Sequence, residues 1–153
     1  MRYFLVAGEA SGDLHASALI RALQAEDPEA SFAFMGGDKM KDAAGVAPIV
    51  HYREVAFMGI VSVVKNLGKL TRIGRQIQAA MRDFAPDVVI PVDYADFNFR
   101  FILPYAKKEL RCPVIYYILP KLWAWRSGRI RQLRRYVDLG LSILPFETNY
   151  FSD

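Results

Sequence analysis

Apolar residues fall along the chain in short blocks, at 3–7, 31–35, 47–50, 88–92, 114–118 and 139–144, rich in β-branched and aromatic side chains. Several of these blocks lack the polar alternation of a half-exposed strand, which predicts strands buried on both faces, as in a parallel sheet covered by helices. Between the first two blocks Ala16, Leu19, Ile20 and Leu23 recur at i, i+3, i+4 and i+7, predicting a helix with Asp13 as its N-cap and Pro28 just beyond its end. A longer amphipathic pattern runs from Met58 to Arg82, and a third helix is marked by Ile130, Leu133 and Val137. Strand and helix patterns in alternation predict an α/β fold with a Rossmann-like, doubly wound, mostly parallel sheet. No repeat, low-complexity tract or linker interrupts the pattern, so residues 1–153 are expected to form one domain.

Composition narrows the class without changing it. The 153 residues are 53% hydrophobic and 24% charged, values of a folded chain with its own core and not of a disordered tail or coiled coil. Cys112 is the only cysteine, and the two histidines, His15 and His51, have no HExxH spacing. No disulfide, structural zinc or other metal site is expected, and a reducing compartment is. Five apolar residues, Tyr3 to Ala7, are too few for the core of a signal peptide. The longest apolar stretch, 55–64, falls well short of the roughly 18 residues that cross a bilayer. A cytoplasmic protein is expected. The net charge of +4 favours anionic partners, and where the cations sit must decide which.

Two segments could carry chemistry. Gly8, Glu9, Ala10, Ser11, Gly12 and Asp13 join the first strand to the first helix, at the sheet edge where ligands of open parallel sheets bind. The glycines permit close backbone approach, and Ser11 offers a hydroxyl. The loop is neither a P-loop nor a GxGxxG fingerprint, and a plain tight turn would need glycine too. Glu9 and Asp13 fit hydroxyl or amide recognition better than phosphate. The second segment, Val92 to Asn98, follows the strand at 88–92 and brings Asp93, Asp96 and Asn98 to a strand's carboxyl end. Asp93, among apolar neighbours, is a candidate general base, while Asp96 is better read as a helix cap.

Two basic features complete the reading. The 58–82 pattern carries Lys65, Lys69, Arg72, Arg75 and Arg82 beside its apolar stripe, with no acidic residue from Met58 to Met81. Basic amphipathic helices suit anionic membrane surfaces, and a core-packing helix with a solvated basic face is the competing reading. Phe57, Met58, Ile60, Val61, Val64, Lys65, Lys69 and Arg72 form the candidate membrane or acyl-chain contact. The second feature is Trp123 to Arg135, where tryptophans and arginines interleave; Arg126 and Arg129 are candidate ligand contacts. RNA binding by stacking and phosphate contact is the alternative, though no RNP1, KH or zinc-knuckle motif accompanies it.

Together, GEASGD, FMGIVSV, VDYADFN, LPKLWAWRSGRI and VDLGLSILPFE closely resemble the N-terminal half of the lipid-A-disaccharide synthases, glycosyltransferases of the GT-B fold. The resemblance runs from Phe4 to Phe146. It implies transfer of 2,3-diacylglucosamine from its UDP conjugate to 2,3-diacylglucosamine 1-phosphate with inversion, forming the lipid A disaccharide precursor and UDP. It further implies a site at the inner-membrane surface of Gram-negative bacteria, with no cofactor and no nucleic-acid partner. Asp93 matches the aspartate of the family's GIDAPDFN-like motif thought to act as base, and Phe97 and Asn98 match its FN. Gly8, Glu9, Ser11, Gly12 and Asp13 match the glycine-rich active-site loop, and Trp125 and Arg126 match the WAWR segment. Pro91-Val92 and Tyr94-Ala95 depart from the common pattern, and Ser62 stands where a glutamate is usual. GT-B enzymes hold the donor nucleotide mostly in a C-terminal domain, which the resemblance leads one to expect outside this chain, so residues 1–153 are expected to be the acceptor-side half, inactive alone. The alternative is a non-catalytic module that binds RNA or anionic lipid through its basic helices.

Overall fold

The computed structural model describes residues 1–60, 63–121 and 128–143, and the side chains of 57–65 also lie outside the described set. Six strands form one sheet: β1 (Arg2–Ala7), β2 (Ser31–Gly36), β3 (Val50–His51), β4 (Val88–Val92), β5 (Ile115–Tyr117) and β6 (Leu139–Leu141). Their order is β3-β2-β1-β4-β5-β6 and each neighbouring pair is parallel. The chain winds outward from β1 through β2 to β3, returns to place β4 on the other side of β1, and winds outward again. The order therefore reverses between β1 and β4, the position at which doubly wound sheets open a crevice.

β1 explains the unbroken apolar runs. Tyr3, Leu5 and Ala7 pack into one cluster with Ala16 and Ile20 of helix α1 (Ala10–Glu26) and Met40 of α2 (Asp38–Ala44). Phe4 and Val6 pack into a second cluster with Ile73, Ile77 and Met81. Successive side chains of a strand point to opposite faces, so a strand with helices on both sides must be apolar at every position. Fully buried Ile77 alone contributes about 1.5–3 kcal/mol of burial free energy.

Helix α3 (Tyr52–Ile60) precedes α4 (Val63–Phe84), so the basic pattern expected from Met58 is entered by a helix that begins at Tyr52. The distal half of α4 packs as core. Gly74 lets it approach closely, since a Cβ there would lie 2.5 Å from the Phe101 ring. The proximal half is more open, with Leu67 at 41% exposure and Lys69 and Arg72 exposed. Val55, the first residue of the longest apolar stretch, is buried in the main cluster. Phe57, Met58, Ile60, Val61, Val64 and Lys65 lie outside the residues whose side chains are described.

Other boundaries differ for local reasons. Strand pairing expected at 47–50 starts only at Val50, because Pro48 has no amide to donate and Ile49 contributes a single bond to the Phe34 carbonyl. After β4 the chain forms a short turn α5 (Ala95–Phe97), a π-helical segment (Asn98–Ile102) and α6 (Leu103–Lys108). Helix α7 (Gly128–Tyr136) buries Leu133 and Tyr136, with Ile130 and Val137 at the margin of the core.

Candidate active site

Ala7 of β1 and Val92 of β4 are register partners, so Gly8 and Asp93 leave the sheet as neighbours at its reversal point. Two distant motifs are thereby joined. A cleft of about 440 Å³ opens beside them. Ser11, His15, Asp93 and Lys121 supply its polar lining, Gly12 its floor at the start of α1, and Ile118, Leu119 and Ile143 its apolar lining. No side chain caps the N-terminus of α1, and the Ser11 hydroxyl donates to the Glu9 carboxylate at 2.8 Å.

Asp93 and Tyr94 both have left-handed backbone, with φ of 45° and 47°. Each such residue costs about 1–2 kcal/mol, and a bulky aromatic tolerates it less well than an aspartate. Surrounding contacts hold the pair. The Asp93 amide donates to the Tyr117 carbonyl at 3.1 Å, and the Asp93 carbonyl accepts from the Tyr116 hydroxyl at 2.6 Å and the Asn98 amide at 2.8 Å. The Tyr94 ring lies against Gly8 so closely that a Cβ at position 8 would fall within it.

Burial raises the Asp93 carboxyl above its ordinary pKa and the Glu9 carboxylate raises it further, while the Tyr94 amide, Lys121 and His15 partly oppose the shift. A half-buried carboxylate held in a cleft and made more basic than usual has the character of a general base.

Other candidates fall elsewhere. Asp13, expected to cap its own helix and to touch substrate, lies inside the first turn of α1 and is 3% exposed. Its carboxylate accepts the amides of Gly37 (2.8 Å), Met40 (3.1 Å) and Lys39 (3.2 Å), so it caps α2 instead. Asn98 is fully buried and holds the Asp93 carbonyl, a position that keeps it out of contact with a ligand in the cleft. Asp96, expected to cap a helix, sits within α5 and pairs with Arg129. Arg129, expected as a ligand contact, is occupied by that pair and by the face of Phe99 at 5.3 Å. Trp125 and Arg126 lie outside the described residues. The cleft also contains His15 and Lys121, which the motifs did not single out. His15 follows Ser11 by one helical turn and so shares its face, a signal legible in the sequence. Lys121 lies in the LPKLWAWRSGRI segment without being singled out there, and Tyr116 gave no local signal.

The parallel sheet, its reversal point and a cleft built from the loops after β1 and β4 define a Rossmann-like domain of the GT-B type. A solved structure, UDP-GlcNAc 2-epimerase from Neisseria meningitidis bound to UDP-GlcNAc, shares this fold with a TM-score of 0.66 and 14% identity, covering 99% of this chain and 42% of that one. The chain belongs to the lipid-A-disaccharide synthetase family, whose profile matches residues 3–153. It is 43% identical over 152 residues to the lipid-A-disaccharide synthase of Myxococcus xanthus and 39% identical over 150 residues to that of Trichlorobacter lovleyi. Those alignments take in 99% and 98% of this chain but 39% and 38% of the relatives, so the chain spans about two fifths of their length. Nothing in the comparisons supports a non-catalytic RNA- or lipid-binding module.

Proposed function

We propose that residues 1–153 form the acceptor-side domain of a glycosyltransferase that moves 2,3-diacylglucosamine from its UDP conjugate to 2,3-diacylglucosamine 1-phosphate. The observation that carries this reading is Asp93, a carboxylate of raised basicity in a cleft at the sheet's reversal point. Asp93 takes the proton of the acceptor's 6-hydroxyl as that oxygen attacks the donor's anomeric carbon. The bond from that carbon to UDP breaks, UDP leaves with the electron pair, and the configuration inverts. His15 and Lys121, in the same cleft, suit the acceptor's phosphate, and Ser11 with the Gly8–Gly12 loop suits its hydroxyls.

The donor's nucleotide needs a second domain, as in other GT-B enzymes, so residues 1–153 alone are inactive. The acyl chains bring the work to the cytoplasmic face of a membrane, with the proximal half of α4 at the surface. Among the described residues no helix is long and apolar enough to cross a membrane.

Asp93→Asn in the complete protein tests the reading. UDP release from both substrates falls by a factor of 10² or more, in keeping with the 10²–10⁴ that general-base catalysis typically contributes, with acceptor affinity little changed. Near-parental turnover would move the base elsewhere, with Glu9 next in line.

A further inference from the structure

We infer that Tyr116 and Asn98 are a positioning pair which, by holding the Asp93 backbone carbonyl, aims the Asp93 carboxylate into the cleft. The inference rests on the reading of Asp93 as base and assigns a role to two residues that never touch substrate.

Tyr116 and Asn98 are both fully buried, one on β5 and the other at the start of the π-helical segment. Their side chains converge on one atom. The Tyr116 hydroxyl donates to the Asp93 carbonyl at 2.6 Å, the Asn98 amide donates to the same oxygen at 2.8 Å, and the two side chains are 3.4 Å apart. Burial pushes the Tyr116 phenol well up, so it remains a donor wherever the protein is folded. The Asn98 side-chain oxygen is buried and finds no donor among the described residues, so the amide is oriented by what it gives to Asp93 and not by what it receives.

The held carbonyl belongs to the first of two consecutive left-handed, side-chain-bearing residues. Such a conformation persists only where its surroundings over-determine it, and strained backbone of this kind gathers at sites where a side chain must be aimed. Releasing the carbonyl lets the Asp93–Tyr94 peptide turn toward an ordinary conformation and swings the Asp93 side chain with it. A base misplaced by about 1 Å costs on the order of 10²-fold in rate. A group buried merely to stabilise the sheet would leave the carboxylate's titration unchanged. A positioning group alters it, because the carboxyl that leaves its half-buried place regains water.

Tyr116→Phe removes one oxygen and conserves the ring. In the complete protein, kcat for UDP release falls about 10- to 100-fold, KM for the acceptor stays within about twofold, and the acidic limb of the kcat/KM pH profile moves to lower pH. Asn98→Ala, scored identically, tests the second donor and keeps the inference testable if Tyr116→Phe does not fold. Asp93→Asn runs alongside. If Asp93→Asn abolishes turnover while a folded Tyr116→Phe or Asn98→Ala keeps parental kcat and pH profile, the positioning role of that residue is overturned and the reading of Asp93 stands. If Asp93→Asn turns over normally, the reading of the base itself fails. A fall in melting temperature with unchanged kcat and pH profile identifies a purely structural pair and also overturns the inference.

Discussion

The Asp13 carboxylate on α1 accepts the Gly37 amide at 2.8 Å and thereby joins the start of the first helix to the start of α2. Gly37 leaves no room for a side chain there, since a Cβ would stand 2.7 Å from the carboxylate oxygen. Asp13→Ala is expected to cost about 2–3 kcal/mol, the scale of buried hydrogen bonds to a charged group plus donors left unpaired. Urea unfolding checks this. A loss under 0.5 kcal/mol, on the order of an exposed surface change, would return Asp13 to the ligand-binding set.

Asp93 itself should weaken the fold it serves. Its carboxyl has a raised pKa in the native state, through burial and the Glu9 carboxylate, opposed by the Tyr94 amide, Lys121 and His15. Between the unfolded value of about 3.9 and the higher folded one, the native state binds more protons than the unfolded chain. Stability therefore falls as pH rises through that window, and the full penalty is present above it. Asp93→Asn, whose amide tolerates left-handed backbone as well as or better than the acid, is expected to unfold at higher urea than the parent at pH 7 and at the same urea below pH ~3.9. Equal stability at pH 7 contradicts the burial argument.

Gly8→Ala should act on activity through Tyr94. Its Cβ displaces the Tyr94 ring and with it the neighbouring Asp93. Turnover of the complete protein is expected to fall by about 10-fold or more, in line with the cost of small misplacements at a reacting group. Gly12, whose added Cβ would meet Ala7 at 3.3 Å and Val92 at 3.8 Å, should tolerate alanine better. Comparing the kcat of the two variants tests the contact; equal losses would discard it.

Asp138 fastens the last described strand. Both its oxygens receive the Lys107 ammonium, at 2.7 and 2.6 Å, and one receives the Val114 amide at 2.7 Å. Burial pushes this carboxyl up, but the Lys107 and Val114 bonds outweigh it and leave the pKa below its ordinary value. The resulting stability is present above the unfolded pKa of about 3.9 and is lost as pH falls through the lower folded value. Asp138→Asn is expected to cost about 1 kcal/mol at pH 7, kept small because the carboxylate is half-exposed, and progressively less as pH falls from about 3.9 toward and through the lower folded value. Denaturation at pH 7 and through that acidic range decides it.

The proximal half of α4 is expected to meet anionic lipid through Leu67, Lys69 and Arg72, with each cation adding about 1 kcal/mol near such a surface. Leu67→Ser should lower co-sedimentation with phosphatidylglycerol vesicles more than it lowers the melting temperature. Sedimentation equal to the parent's would leave α4 as a core helix with a solvated basic face.

Much of this protein is determined by its linear pattern, because burial on both faces makes the inner positions of the central strands apolar and a helix between strands carries one apolar stripe. Strand β4 at Val88–Val92, the α/β class and the motifs around Gly8 and Asp93 were all legible for that reason. Cap residues were not. Asp13 and Asp96 stand where local rules place caps for their own helices, yet one caps a different helix and the other pairs with Arg129, since a short carboxylate binds whichever donors the fold brings near. The tertiary structure alone decided that β1 and β4 lie side by side, which joins the two motifs into one cleft. It also decided that Tyr116, an ordinary aromatic in an ordinary strand, meets the Asp93 carbonyl. Apolar periodicity reports which face of an element is buried; it holds no information about which buried polar atom finds which partner, because that depends on distances set only when the layers pack.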